Sequence, residues 1–225
     1  MYYDWTMILL LPAILLSAWA QYKVSSTYSK YGKVASKSGV TAAQMARTML
    51  DYNGLSNISV EQVAGNLTDH YDPKKKVLRL SQTVYGSSSV AALGVAAHEA
   101  GHAMQDAESY IPLKVRGALV PLASFGSYAS WVLIAIGLVM GAFNLLGIGI
   151  LLFSLAVLFQ LVTLPVEFNA SRRAMAALEG GGYLDAGELT QTRKVLSAAA
   201  MTYVAAALTA VLQLLRLLLI FGRRN

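Results

Sequence analysis

The chain has 225 residues, of which 56% are hydrophobic and 13% charged, and this composition is too apolar for an ordinary soluble domain. It indicates an integral membrane protein. Cysteine is absent, which excludes disulfides, thiolate metal ligands and a cysteine nucleophile, so a transition-metal site must use histidines and carboxylates. The net charge of +6 comes from basic residues that flank apolar segments, a pattern that indicates membrane orientation and not nucleic-acid binding.

The first apolar segment, WTMILLLPAILLSAWAQ, covers residues 5–21 and has about the minimum length of a transmembrane helix. AWA at residues 18–20 resembles a signal-peptide cleavage site. The residues before the segment include Asp4 and no lysine or arginine, which is not typical of a signal peptide. We therefore predict an uncleaved transmembrane anchor at 1–21.

Three more apolar segments follow in the C-terminal half. Two of them, separated by a short turn at Asn144, predict a transmembrane hairpin at 118–165. The last segment, within 196–225, contains Gln213 and Arg216, and it either spans the membrane or lies at the interface. The sequence thus predicts about four transmembrane helices.

The polar residues 22–117 lie between the anchor and the hairpin. Thr41 and Gln44 form a capping pair, which predicts a helix near 42–52. NISVEQV and KKVLRLS alternate like short strands, and DHYDP predicts a turn before the second of them. A helix is expected to begin at one of Ser87–Ser89 and to continue through AAHEAGHAMQ. The predicted fold is a mainly α integral membrane protein with a small α+β domain between the first and second transmembrane helices.

The segment HEAGH carries two histidines four positions apart, His98 and His102, on the predicted helix. Residues at this spacing share one helix face, so the two imidazoles can bind one ion. Glu99 is rotated away from them enough to reach a water on the metal, as a general base requires. Small residues next to the histidines would let another helix bring a further ligand close. The pattern predicts a catalytic zinc site.

A catalytic zinc normally has three protein ligands and one open position, so a third ligand must come from elsewhere. Glu167 is favoured because the hairpin returns it to the side that holds the motif. Three small residues on its helix face favour a close approach to the metal helix: Ala170, Ser171 and Ala174. The alternative ligands are His70, Asp106 and Glu108. Glu167 could instead be an interfacial carboxylate paired with Arg172 or Arg173.

At DHYDP, VLRLS, AAHEAGHA and PVEFNASRRA the chain resembles the neutral zinc metallopeptidases of bacterial membranes, the YugP-like family. With the flanking apolar segments, the resemblance covers nearly the whole chain. More distantly, the layout is similar to the HtpX heat-shock proteases and the CAAX prenyl proteases, which are gluzincins. The resemblance implies that His98, His102 and Glu167 bind Zn2+ and that Glu99 is the catalytic base. It also implies that the α+β domain between the first and second transmembrane helices is a zincin-like catalytic domain.

The chain departs from the distant relatives at one position near the site. Those proteins usually carry an aspartate four residues after the ligand glutamate, where this chain has Ser171. Asn169 or Asp106 are therefore candidates to support the ligand histidines. For the donor that stabilises the oxyanion, His70 is favoured. Its alternatives are Tyr71, Arg172 and Arg173.

The function implied by this resemblance is that of a membrane-embedded zinc endopeptidase (EC 3.4.24), with a zinc-activated water, a glutamate base and an expected role in membrane protein quality control. Its partners are a membrane-associated peptide or protein substrate, the lipid bilayer and, as an open option, a second copy of the chain. A docked peptide is expected to pair with KKVLRLS as an edge strand. The alternative is a non-catalytic membrane adaptor with a metal site, but a closed structural site would need a fourth protein ligand. A transporter is disfavoured because Arg216 is nearly alone as an ionisable residue in the apolar segments.

The distribution of basic residues predicts the orientation in the cell membrane. The charged residue that precedes the anchor is acidic, Asp4. Four lysines follow the anchor closely: Lys23, Lys30, Lys33 and Lys37. Basic residues concentrate on the cytoplasmic side, so the active site is expected to face the cytoplasm. Residues 166–195 then form a cytoplasmic helical segment that carries the third zinc ligand. A fully spanning last helix would export Arg223 and Arg224 against this rule, which keeps the interfacial alternative open for 196–225.

Overall fold

The computed structural model describes residues 5–222 of the chain. Asp4, Arg223 and Arg224, which entered the prediction of orientation, lie outside the described residues. The chain divides into two compact units. One contains the N-terminal segment through Gln21, Pro112–Pro165 and the C-terminal segment from Met201, and the other contains Tyr22–Ile111 and Val166–Ala200. We call them the apolar unit and the polar unit.

Within residues 5–222, four helices are long and apolar enough to cross a membrane. The first is a 3-10 turn, Trp5–Leu10, followed by α1, Leu11–Tyr31. The others are α5 (Ile111–Met140), α6 (Phe143–Gly180) and α7 (Ala186–Gly222). The predicted number of apolar helices is thereby confirmed for the part of the chain described.

The apolar unit contains a tight connection between α5 and α6. Gly141 has a φ of +67°, a conformation that glycine adopts without a steric penalty, and it makes the turn. The turn was predicted at Asn144, which instead belongs to the first turn of α6. A Cβ atom at Gly137 would lie 2.7 Å from the backbone nitrogen of Leu146, so the two helices touch where the first of them carries a glycine.

In the polar unit, α2 (Ala42–Tyr52) forms where the capping pair predicted a helix. The Gln44 backbone N–H donates to Thr41 Oγ1 at 3.3 Å, and the Thr41 N–H donates to Gln44 Oε1 at 3.0 Å. These reciprocal bonds satisfy N–H groups that the first helical turn leaves free. The apolar face of α2 is buried through Met45, Met49 and Leu50.

The sheet of the polar unit has three strands within the described residues, β1 (Ser59–Val63), β2 (His70–Asp72) and β3 (Val77–Ser81). Their order is β1-β3-β2, with β1 parallel and β2 antiparallel to β3. Two predictions were wrong here. DHYDP is not a turn but contains β2, because the turn lies at residues 73–76. The strand β3 is not an edge, because it is paired on both sides.

Two helices follow the sheet, α3 (Gln82–Tyr85) and α4 (Val90–Ala107). The helix α4 has Ser89 as its N-cap, with the Ala92 N–H donating to the Ser89 hydroxyl at 3.2 Å, within the range expected from the sequence. Its small residues Ala96, Ala97 and Ala100 are fully buried. They allow α4 to pack closely into the core of the polar unit, and the histidine motif lies on this buried helix.

Candidate metal centre

The helix α4 presents its two motif histidines to the same side. His98 and His102 are one turn apart, and their ring centroids are 4.8 Å from each other at an interplanar angle of 83°. Only 15% of the His98 side chain and 11% of the His102 side chain is exposed. The two imidazoles are therefore held close together inside the protein, as the four-residue spacing predicts.

A close contact between α4 and α6 brings a carboxylate to these histidines. A Cβ atom at Gly101 would lie 2.5 Å from the carbonyl oxygen of Ala170, so only glycine permits this approach. One turn before Ala170, Glu167 is 3% exposed. Its Oε2 lies 3.1 Å from His98 Nε2 and 3.6 Å from His102 Nε2. The small-residue face predicted for α6 thus packs against the metal motif.

The donor set fits a zinc ion. Two imidazole nitrogens and one carboxylate oxygen, from His98, His102 and Glu167, lie within 4.8 Å of one another. Three such ligands with one position left for water are typical of catalytic zinc sites. Burial lowers the pKa of His102, but the neighbouring carboxylates of Glu167 and Glu99 raise it more, so the net shift is upward. The same negative environment that attracts a proton favours a divalent cation.

Glu99 is not part of the three-residue cluster but lies beside it on α4. Its Oε2 accepts a hydrogen bond of 3.1 Å from the backbone N–H of Tyr71. Because Tyr71 is in β2, at an edge of the sheet, its N–H is not needed for pairing with β3. The edge strand therefore holds the carboxylate of the motif glutamate.

The other predicted ligand candidates have different partners. Asp106 accepts hydrogen bonds from the Tyr71 hydroxyl at 2.7 Å and from Lys76 Nζ at 2.5 Å. Burial and this hydrogen bond to Asp106 raise the pKa of the Tyr71 phenol, which keeps it a donor. Glu108 forms a bidentate ion pair with Arg173 at 2.6 and 2.7 Å. Each of these carboxylates already has a cationic partner.

His70 occupies the first position of β2, and its side chain is exposed. Its Nδ1 is 2.8 Å from the Thr68 carbonyl oxygen, and its Nε2 is 3.5 Å from an Arg79 nitrogen. The three-residue cluster that could hold a metal, as found among residues 5–222, does not include His70. Its proposed role at the oxyanion stays a prediction.

Two neutral side chains contact the ring nitrogens that face away from the cluster. Ser171 Oγ is 3.1 Å from His98 Nδ1, and Gln105 Oε1 is 3.0 Å from His102 Nδ1. The expected supporters were Asn169 or Asp106. Asn169 instead contacts Gln105, and Asp106 bonds elsewhere. Gln105 was missed, although a glutamine one turn after a motif histidine on an otherwise apolar helix was a usable signal; the structure shows its side chain fully buried.

The sequence is similar to a known protein family over almost its whole length. The family described as "Putative neutral zinc metallopeptidase" matches residues 6–222. The chain belongs to this family. It is also 51% identical over 213 residues to "Putative membrane protease YugP" of Bacillus subtilis (strain 168). The aligned region covers 95% of this chain and 95% of that protein. No solved structure matches significantly.

Membership in this metallopeptidase family confirms the resemblance inferred from the motifs. It also confirms Zn2+ as the cofactor, for which the cluster of His98, His102 and Glu167 offers a site. With four apolar helices in residues 5–222 and a relative named as a membrane protease, the metallopeptidase is a membrane protein.

Proposed function

We propose that the chain is a membrane-embedded zinc endopeptidase of the gluzincin type, in which His98, His102 and Glu167 bind the metal. The observation that carries the proposal is the buried convergence of these three side chains, with their ligand atoms within 4.8 Å of one another. A zinc ion bound there would lower the pKa of a water in its open position and polarise the carbonyl of the scissile peptide bond. The zincin-like part is the polar unit, of which α4 is the central helix.

Glu99 is the proposed general base. It lies directly beside a ligand histidine, and the Tyr71 N–H fixes its carboxylate through Oε2. In this role Glu99 takes a proton from the attacking water and delivers it to the leaving amine. The second oxygen of the carboxylate is the one available for the proton. The donor that stabilises the oxyanion is proposed to come from β2, which carries both His70 and Tyr71.

The substrate is proposed to be a peptide segment in extended conformation. Because β3 is central, the docking strand cannot be the one predicted from the sequence. The strand β2 is the better candidate, since it is an edge strand and lies beside Glu99, whose carboxylate occupies the Tyr71 N–H. Pairing through the backbone gives affinity with little preference for particular side chains, as expected for a protease that acts in membrane protein quality control.

The active site is proposed to face the cytoplasm. The support is the concentration of lysines after the anchor, because 22–116 holds Lys23, Lys30, Lys33 and Lys37 together with other basic residues. In this topology residues 166–195 are cytoplasmic and α7 continues into the fourth span. The domain boundaries predicted at 21, 117, 165 and 195 belong to the same proposal.

The decisive experiment is hydrolysis of an unfolded model protein by the purified chain in detergent. Activity should disappear on chelation and return on addition of zinc, and it should be greatly reduced in the Glu99→Gln variant. A zinc-loaded protein without any hydrolytic activity would instead support a non-catalytic membrane adaptor. Substrates can then be trapped with Glu99→Gln in cells and identified from what co-purifies.

A further inference from the structure

The side chain of Gln105 is fully buried and makes three hydrogen bonds. Its Oε1 is 3.0 Å from His102 Nδ1. Its Nε2 donates to the Val166 carbonyl at 2.8 Å and to Asn169 Oδ1 at 2.9 Å. Gln105 thus connects a proposed metal ligand on α4 with the part of α6 that surrounds Glu167.

These contacts fix which end of the amide faces the histidine. A backbone carbonyl such as that of Val166 can only accept, so the NH2 group of Gln105 must point towards α6. The oxygen of the amide then points towards His102 and cannot donate. The hydrogen bond exists only if His102 Nδ1 carries a proton, and in the neutral imidazole this leaves the lone pair of Nε2 directed to the side of Glu167.

A series of polar contacts holds Gln105 on the side that faces away from His102. Asn169 Oδ1 accepts from Gln105 Nε2 and also from Arg173 Nε at 2.8 Å. Arg173 is in turn fixed by the bidentate pair with Glu108, whose side chain is 62% exposed. Because Asn169 accepts from two donors, its own amide orientation is determined as well. These contacts form a continuous series from Glu108 at the protein surface to His102.

We propose that Gln105 is a positioning residue that selects the Nδ1–H tautomer of His102, and that Asn169, Arg173 and Glu108 fix its orientation. This inference rests on the proposed function, because it treats His102 as a metal ligand. Only the Nδ1–H tautomer presents the lone pair of Nε2 to the metal. If the metal-free protein already holds His102 in this tautomer, the Nε2–H tautomer, which cannot bind through Nε2, no longer competes with zinc binding. Ser171 cannot select in the same way, because a hydroxyl can donate or accept.

The tautomer is tested directly by 15N NMR of histidine-labelled protein. The chain has three histidines, so few signals need to be assigned, and His102→Ala identifies the relevant one. In metal-free wild-type protein at alkaline pH we expect His102 to be protonated at Nδ1 alone. A predominant Nε2–H form would overturn the inference without any variant of Gln105.

The energetic consequence is tested by zinc affinity, measured by competition with a chromophoric chelator. Gln105→Met keeps the volume but cannot accept, and we expect about 10- to 100-fold weaker binding. Gln105→Glu retains an acceptor for His102 while losing both donor bonds to α6. It should therefore bind zinc more tightly than Gln105→Met, even if its metal-free form melts at a lower temperature. If the two variants bind equally, Gln105 acts only as a spacer and the inference is wrong.

A matched control separates positioning from general stability. Gln44→Met makes the same chemical change in the polar unit, where it removes the bond from the Thr41 N–H to Gln44 Oε1 that completes the capping box of α2. It should lower the melting temperature and leave zinc affinity unchanged. If wild-type protein binds no zinc, the proposed function fails, while the tautomer of metal-free His102 still decides the inference. If wild-type protein binds zinc and Gln105→Met binds it equally well, only the inference fails.

Discussion

Gly101 of α4 lies against the carbonyl of Ala170 in α6, where a Cβ atom would be 2.5 Å from the oxygen. Real Cβ atoms do not approach a backbone oxygen so closely, so a side chain at position 101 would force the two helix backbones apart. The distance between the two histidines and Glu167 therefore depends on the absence of a side chain at position 101.

Gly101→Ala is expected to push α6 away from α4 and to weaken zinc binding by at least tenfold, because Glu167 moves with α6. Zinc per chain after dialysis, together with the melting temperature, measures this effect. Gly86→Ala is the control, since a Cβ atom there meets nothing within 4 Å. Wild-type zinc affinity in Gly101→Ala would show that the contact does not set the position of Glu167.

Glu99→Gln should retain zinc and the fold but lose about two to four orders of magnitude in the rate of peptide hydrolysis. Glutamine is nearly isosteric, and its amide oxygen can still accept from the Tyr71 N–H, but it cannot take the proton of the attacking water. Single-turnover rates at saturating substrate, with zinc content determined on the same sample, test the role. Activity near that of the wild type would remove Glu99 from the mechanism.

Glu167→Ala should lose bound zinc, as should His98→Ala and His102→Ala, because each removes one of the three converging ligands. Glu179→Ala is a suitable control, since it removes an exposed carboxylate from the same helix. Metal content and activity are measured before and after addition of zinc. Stoichiometric zinc of unchanged affinity in Glu167→Ala would mean that another residue, such as His70 or Asp106, is the third ligand.

The membrane orientation can be tested by cysteine labelling, because the chain has no cysteine of its own. Ser38→Cys is expected to resist a membrane-impermeant reagent in intact cells, and Asn144→Cys is expected to react. Both positions are exposed, so accessibility within the protein does not limit the reaction. The opposite pattern would place the active site outside the cytoplasm. A third probe at Asn225, beyond the described residues, tests whether the last helix spans.

Local signals in the sequence were sufficient for α2 and for the metal helix. Thr41 and Gln44 satisfy each other within four residues, and His98 and His102 need only one helix to share a face. The strand β2 could not be predicted in this way. Its three residues lie in DHYDP, whose aspartates and proline favour a turn, and only the pairing with β3 makes them extended.

The part of the site that depends on tertiary contacts was predicted less completely. The approach of Glu167 was inferred from small residues on one helix face, and the structure brings this residue to the histidines. The role of Gln105 was not inferred, because its partners Val166 and Asn169 are more than 60 positions away in sequence. The spacing of the motif predicts candidate metal ligands and places Gln105 one turn after His102, but it contains no information on the groups of α6 that orient the Gln105 amide.

Gln105 and Ser171 are both uncharged, and they contact the Nδ1 atoms of the two imidazoles, which face away from Glu167. A carboxylate in either place would make the imidazole more basic and pass part of its negative charge to the metal. An amide and a hydroxyl orient the rings without this transfer. A divalent cation between His98, His102 and Glu167 would therefore keep more of its electron-withdrawing power, and it would be a stronger electrophile towards a peptide carbonyl than one backed by anions.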